Sequence, residues 1–508
     1  MPRPLALLTL LLALVGVAVA PATASAALPG ASISAKKSKL VKHVDYPDTQ
    51  RLHFEYGPIK ILPGQNNIEF KVNGEKPKVP GYITRFTPDL VYSYGKKKVP
   101  RVDIIHLHHG VWLARGAPTF AAGEEKTVQQ LPRGYGYHYD PSDGWIMNYM
   151  IHNLTPKPTS VSITYDIDFV PDGTASAQKL TPARPLWMDV AGIAAYPVFD
   201  VYRGQGKKGK FTFPDQARPS QEEDIGRAQE YVARRPMTIL NTAGHLHPGG
   251  LWTDLKVTRG ARTRRLFRSQ AKYFEPAGAV SWDVSMTHTK PNWRVAVKPG
   301  DKLSVSATYE TRKASWYESM GIMVLFVADG AAKEAKDPFT SKIDATGILT
   351  HGHLPENNFH GGKPRPGRPD ARKLPGGVFS SDLKIEGYVY GLGDLNVGGK
   401  RGRPPRVRAG QSINFTNLDA TTTDSPQESA YHTITSCKAP CTASTGIAYP
   451  LANGPVRFDS GELGYGPPGA TPAENTNVWQ TPKSLRPGTY TYFCRIHPFM
   501  RGAFRVVK

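Results

Sequence analysis

The sequence predicts an all-β protein of roughly three sandwich domains. Three observations predict it. The 508 residues include 49 Gly and 45 Pro, punctuation that suits short strands joined by turns and suits long helices poorly. Runs such as Val161–Phe169 and Lys302–Tyr309 alternate apolar and polar residues, the period of a strand with one buried face. Hydrophobic residues make up 39% of the chain, ample for packed cores and too much for disorder throughout. No solenoid-type repeat is present.

Taken in order, residues 1–26 read as a secretory signal peptide. Arg3 precedes an apolar stretch from Leu5 to Ala20, and Ala24-Ser25-Ala26 is a cleavage signal. The expected location is secreted, either extracellular or periplasmic. No later segment is apolar and long enough to span a bilayer. Residues 27–45 are a polar, Lys-rich leader, and strand patterns run from about 46 to 330. Gln221–Arg235 reads as a short helix. Residues 335–378 read as a linker, with Lys363-Pro-Arg-Pro-Gly-Arg-Pro-Asp370 as its clearest stretch. Strand patterns resume at Leu383–Tyr390 and continue to Val507.

Lys plus Arg is 64 and Asp plus Glu is 42, so the net charge is 64 − 42 = +22. Export and the scatter of these charges argue against a nucleic-acid partner. They leave a solvated basic surface that suits anionic surface polymers.

Three cysteines is an odd number for an exported chain. Cys437 and Cys441 are spaced to close a small loop as a disulfide. Cys494 is left, within Tyr492-Phe-Cys-Arg-Ile-His-Pro-Phe-Met500. One loop leaving a strand can turn Cys494, His497 and Met500 onto one ion. Thiolate and thioether are soft ligands, imidazole suits copper, and two His with one Cys and a weak axial Met form the type 1 copper set. His432, at the start of a strand-like run, supplies the second histidine.

These residues, with Ile385–Leu395, Val407–Phe415 and Gly488–Cys494, resemble the cupredoxin family, in particular plastocyanin- and amicyanin-like domains, over about 380–508. The resemblance implies a Greek-key β-sandwich at 379–508. It also implies one blue copper on His432, Cys494, His497 and Met500, with one-electron transfer as its task.

Upstream, Asp103–Trp112 carries His106, His108 and His109. Adjacent histidines on a regular strand point to opposite faces. Two adjacent ligands therefore need a twisted or bulged backbone, and Gly110 could permit one. His152 ends a strand-like run. His245 and His247 stand two apart, on one side of a strand, and Met320 offers a thioether.

This order resembles the copper type II, ascorbate-dependent monooxygenases, the group of peptidylglycine α-hydroxylating monooxygenase. Tyr56–Gln65 is also similar to the Nod19-type secreted proteins, over about 50–330. The resemblance implies two jelly-roll-type antiparallel β-sandwich domains, 27–185 and 186–334. One copper would sit on His108, His109 and His152, with His138 as the competing third ligand. A second, catalytic copper would sit on His245, His247 and Met320, where dioxygen binds and a C–H carbon is hydroxylated. His106 supports the first site, and Met286 and Met323 belong to the core.

Two departures bear on the substrate. The family holds a substrate carboxylate with an Arg where this chain has Ala243, and has a tyrosine where this chain has Val324. The disulfides of that family are also missing, since residues 27–330 contain no cysteine. His351, His353 and His360 echo the Gly-His-Leu-His pattern, as a further metal site, a lid or a solvated linker.

The expected function is type 1 copper electron transfer feeding a two-copper, dioxygen-dependent hydroxylation centre. An external electron donor or acceptor and a small-molecule or peptide substrate would be its partners. The alternative is a non-catalytic copper electron-transfer protein on an inert N-terminal scaffold. An adhesion or wall-binding module is a third class.

Overall fold

The computed structural model describes residues 46–508 except 193–196, 218–229, 275–277, 351–368, 396–401, 421–429, 442–450, 452–455 and 466–475. The signal peptide and His351, His353 and His360 lie outside the described residues. Within them, every element is a strand apart from two single-turn 3-10 helices. No helix among the described residues is long and apolar enough to cross a membrane.

The first sandwich sets two sheets face to face. One holds Gln50–Ile61, Thr159–Pro171 and Gly81–Tyr92; the other orders Asn66–Val72, Trp145–Asn153, Ile105–Ala114 and Ala117–Gly123. Strand alternation places Ile163, Ile167 and Phe169 inward against Trp112, Phe120 and Trp145. Phe86 stacks on Phe120 with centroids 4.5 Å apart and meets Trp112 edge-on at 4.8 Å.

A parallel pairing of Tyr135–Tyr139 with Thr181–Asp189 carries the first sheet into the second half. There it continues through Ile322–Asp329, Met237–His245, Val284–Thr289, Arg262–Tyr273, Gly250–Arg259 and Lys302–Glu310. Ile322–Asp329 is buried along nearly its whole length. Its Ile322, Val324 and Phe326 pack into the first core, and its Met323, Leu325 and Val327 into the second. An unbroken apolar run is what a strand buried on both faces requires. Met286 and Met323 are core residues, as expected.

The C-terminal part is a smaller sandwich. Asp382–Ile385, Asn414–Asn417 and Val478–Gln480 form one sheet. Arg406–Arg408, Arg501–Val507, Gly488–Phe493 and Thr435–Cys437 form the other. Its core closes over Leu383, Phe415, Ile434, Tyr492 and Phe504. Phe493 points the other way and joins the core of the second half, with Leu451 and Val456.

Three expectations need correction. Glu230–Val232, inside the segment read as a helix, is an edge strand paired with Lys302–Glu310; 221–229 lie outside the described residues. The run read as a strand over Leu383–Tyr390 stops at Ile385, because Gly387 and Tyr388 take φ of 60° and 61° and turn the chain back. Further on, Gly410, at φ 84°, turns the chain between Arg406–Arg408 and Asn414–Asn417, which lie in opposite sheets. The early part of the segment read as a linker is laid on the second half. Gly347–Leu349 pairs with Val284–Thr289, and Arg259 holds both Asp301 and Asp337.

Candidate metal centre

The C-terminal loop is built by a short strand and a tight turn. Gly488–Phe493 delivers Cys494 at its end. The Met500 N–H donates to the His497 carbonyl at 2.8 Å, and the Cys494 N–H donates to the Met500 carbonyl at 3.3 Å. This turn brings His497 back beside Cys494. His432 arrives from the neighbouring strand, through Thr435–Cys437 pairing with Gly488–Phe493.

The ligand atoms converge. His432 Nδ1 and His497 Nδ1 are 3.0 Å apart, and Cys494 Sγ lies 3.9 Å and 3.8 Å from them. All three residues and Met500 are buried. Among the described residues, this is the group of His, Cys, Asp and Glu whose ligand atoms all lie within 4.8 Å of one another.

The outer nitrogens are already engaged. His432 Nε2 meets Asp419 Oδ2 at 2.8 Å, and the Gly387 and Tyr388 N–H groups hold that carboxylate at 2.6 and 2.9 Å. His497 Nε2 donates to the Gly64 carbonyl at 2.8 Å. Each inner Nδ1 therefore faces the sulfur with its ring orientation fixed. Burial works against an ionised Cys494, but His432 and the N–H groups of Thr433 and His497 outweigh it and lower the thiol. Two imidazole nitrogens at 3.0 Å need a positive charge between them. That requirement, the soft sulfur and the dry setting fit a copper ion.

Cys437 and Cys441 form a disulfide, as their spacing suggested, and Cys494 is free and buried.

Upstream, the backbone bulge expected near the His-His pair is present. The register slips between Leu107 and His109 opposite Ile151 and Met150, so His108 is the extra residue. Gly110 does not take a left-handed backbone there; a Cβ on it would lie 3.1 Å from the Trp112 ring. The bulge sends the neighbours apart. His109 lines a cavity of about 470 Å³ with His245 and Met320. His108 lines a cavity of about 70 Å³ with His152 and His247.

This regroups the two ligand sets that the resemblance implied. His245 closes the strand Met237–His245, so strand alternation does not reach His247. The two rings lie 5.2 Å apart at 89° and face different cavities. His247 is thus not brought to the cavity that Met320 lines, and His109 takes its place there. His138 stands apart, at the surface, with Nε2 2.9 Å from Asp172.

His152, His245 and His247 each keep one ring nitrogen occupied. His245 Nδ1 meets Glu125 Oε2 at 2.9 Å, His247 Nδ1 donates to the Glu318 carbonyl at 2.6 Å, and His152 Nε2 donates to the Ile496 carbonyl at 2.7 Å. His245 Nε2, His247 Nε2, His152 Nδ1 and His108 Nδ1 are buried without a hydrogen-bond partner. A buried, unsatisfied ring nitrogen is costly unless something binds it. Burial first, and neighbouring imidazoles second, hold His108 and His247 well below the usual histidine value. Burial pushes His152 down to about 4. Neutral imidazole is the ligating form.

Sequence reasoning missed the groups that hold these rings. Glu125, from the first sandwich, orients His245 of the second; it also accepts the Gly123 N–H at 2.9 Å. The Tyr309 hydroxyl accepts from the His247 and Met320 N–H groups and donates to the Met320 carbonyl at 2.6 Å. Trp282 lies against His106 at 4.4 Å, with His108 and His247 at 5.3 and 5.6 Å. Each is distant in sequence from the residue it holds, so no local spacing marks it.

No protein-family model matches the chain, and no curated protein matches it. Among solved structures, a copper-containing nitrite reductase (NirK) from Thermus scotoductus SA-01 aligns at 14% identity over 53% of this chain and 55% of its own, with a TM-score of 0.16. PNGase F, a glycosylasparaginase from Flavobacterium meningosepticum, aligns at 9% identity over 59% of this chain and 100% of its own, with a TM-score of 0.27. At such scores neither likeness carries an argument.

Proposed function

We propose that this chain is an exported copper protein whose C-terminal site relays electrons to a dioxygen-dependent hydroxylation centre in the N-terminal halves. The observation that carries the copper assignment is the meeting of His432 Nδ1, His497 Nδ1 and Cys494 Sγ within 3.9 Å, in a buried loop that also holds Met500. Copper held there by His432, Cys494, His497 and Met500 would supply a one-electron couple. The Cys437–Cys441 disulfide suits the oxidising compartment that a signal peptide would reach.

Reciprocal hydrogen bonds support the relay. His497 donates to Gly64 of the first sandwich, and His152 of that sandwich donates to Ile496 of the ligand loop. Beyond them, His108 and His247 rings lie 4.4 Å apart. The direct chain neighbour of His108 is His109, which reaches the large cavity. In this reading His108, His152 and His247 would hold one ion, which would supply a one-electron couple, and His109, His245 and Met320 would hold a second, which would supply dioxygen chemistry. The net reaction takes a C–H bond, dioxygen, two protons and two electrons to an alcohol and water, the electrons coming singly from an external donor.

A second reading keeps the C-terminal copper and leaves the upstream histidines structural. The observation favouring it is that no upstream His, Cys, Asp and Glu trio among the described residues meets the geometry of the C-terminal one. Copper content of Cys494→Ser after loading and desalting decides between them. The hydroxylation reading expects two retained coppers, loss of the thiolate-to-copper visible band, and oxygen uptake in the wild type that needs both reductant and copper. Retention near zero leaves an electron carrier.

A further inference from the structure

The large cavity carries an inference about what enters it. Its walls are aliphatic: Val111, Leu113, Ala121, Ala243, Ile322 and Val324. Its volume of about 470 Å³ falls within the roughly 300–1,000 Å³ of small-molecule sites. Phe70, 61% exposed, contributes an apolar lip. The lining also holds polar groups: Asn148 Oδ1 accepts from His109 Nε2 at 2.8 Å, and Glu125 meets His245.

Charge selects further. Among the described residues, no Lys or Arg lines the cavity. Its carboxylate, Glu125, is taken up by His245 and the Gly123 N–H. An anion would lose its hydration with no cation to replace it, and a cation would find that carboxylate engaged. Ala243 and Val324 add apolar wall and no polar group to the lining.

We propose that this cavity binds a neutral, largely apolar small molecule, with one end presented to His109, His245 and Met320. Its role as the hydroxylated substrate rests on the function proposed above; its binding does not.

The test uses metal-free full-length protein and two fluorescent probes of one ring system. N-phenyl-1-naphthylamine is neutral, and 1-anilinonaphthalene-8-sulfonate is its anionic counterpart. The expected result is saturable binding of one neutral probe per chain, about tenfold or more tighter than the sulfonate, a difference of about 1.4 kcal/mol. Ala121→Trp, at a partly exposed wall position, should weaken the neutral probe by at least that factor. Ala243→Arg should reverse the preference; if that variant does not fold, Ala121→Trp decides. Absence of saturable binding, equal affinity for both probes, or indifference to Ala121→Trp overturns the inference. Adding copper(II) to Cys494→Ser separates the two claims. Quenching of the bound probe places the ion at the histidine end. Unquenched binding leaves the cavity inference standing and overturns the hydroxylation reading.

Discussion

Glu125 shows how much one residue from the opposite domain decides. Its carboxylate is buried and bonded to His245 Nδ1. Burial alone would raise its pKa, but His245 and the Gly123 N–H outweigh that and keep it low, hence ionised. An ionised acceptor fixes which nitrogen of His245 carries the proton and leaves Nε2 toward the cavity. Glu125→Gln keeps the shape and removes the charge. Copper affinity at the upstream sites should fall about 10–100-fold, measured by competition titration in a Cys494→Ser background. Unchanged affinity would show that His245 binds no metal. The C-terminal candidates were legible as a group because Cys494, His497 and Met500 share one loop, so spacing reports geometry. Glu125 was not legible, because it acts across the fold on a ring 120 residues away, and neither was Tyr309, which holds the backbone of His247 from 62 residues away.

Strands with one buried face were readable as elements, and the partition strand Ile322–Asp329 shows why the site was only half readable. Alternation located Thr159–Pro171 and Lys302–Glu310. It could not say that the His-x-His pair straddles a strand end, which sends His245 and His247 into different cavities. The turn after His247 enforces that divergence. Gly249 has φ 94°, and a Cβ there would lie 2.3 Å from the Trp316 ring. Trp316 cannot retreat freely, since its Nε1–H is bonded to the Glu310 carbonyl at 2.6 Å. Gly249→Ala should therefore cost about 1–3 kcal/mol from strain and overpacking. The denaturant midpoint of metal-free protein reads this. A neutral effect would mean that the turn relaxes and does not hold His247 in place.

At the scale of the molecule, the C-terminal sandwich does not hang from a tether. Phe493, Leu451 and Val456 belong to the second half's core. Arg495, next to Cys494, pairs with Asp459 at 2.8 Å, donates to the Ser315 carbonyl, and stacks on Trp316 and Tyr317 at 5.6 and 5.1 Å. His497 and His152 add the two bonds across the first sandwich. A shared core and buried ion pair cannot be dismantled from one side alone. The described residues should therefore unfold as one cooperative transition, seen alike by circular dichroism and by the copper band. Arg495→Ala leaves Asp459 buried without its cation and should lower stability by about 3–5 kcal/mol. The transition should remain single, because the apolar contact persists. Two separated transitions in the wild type, with the copper band following only one, would mean that the blue site docks loosely. The bonds to Gly64 and Ile496 would then be too transient to carry electrons to the upstream histidines.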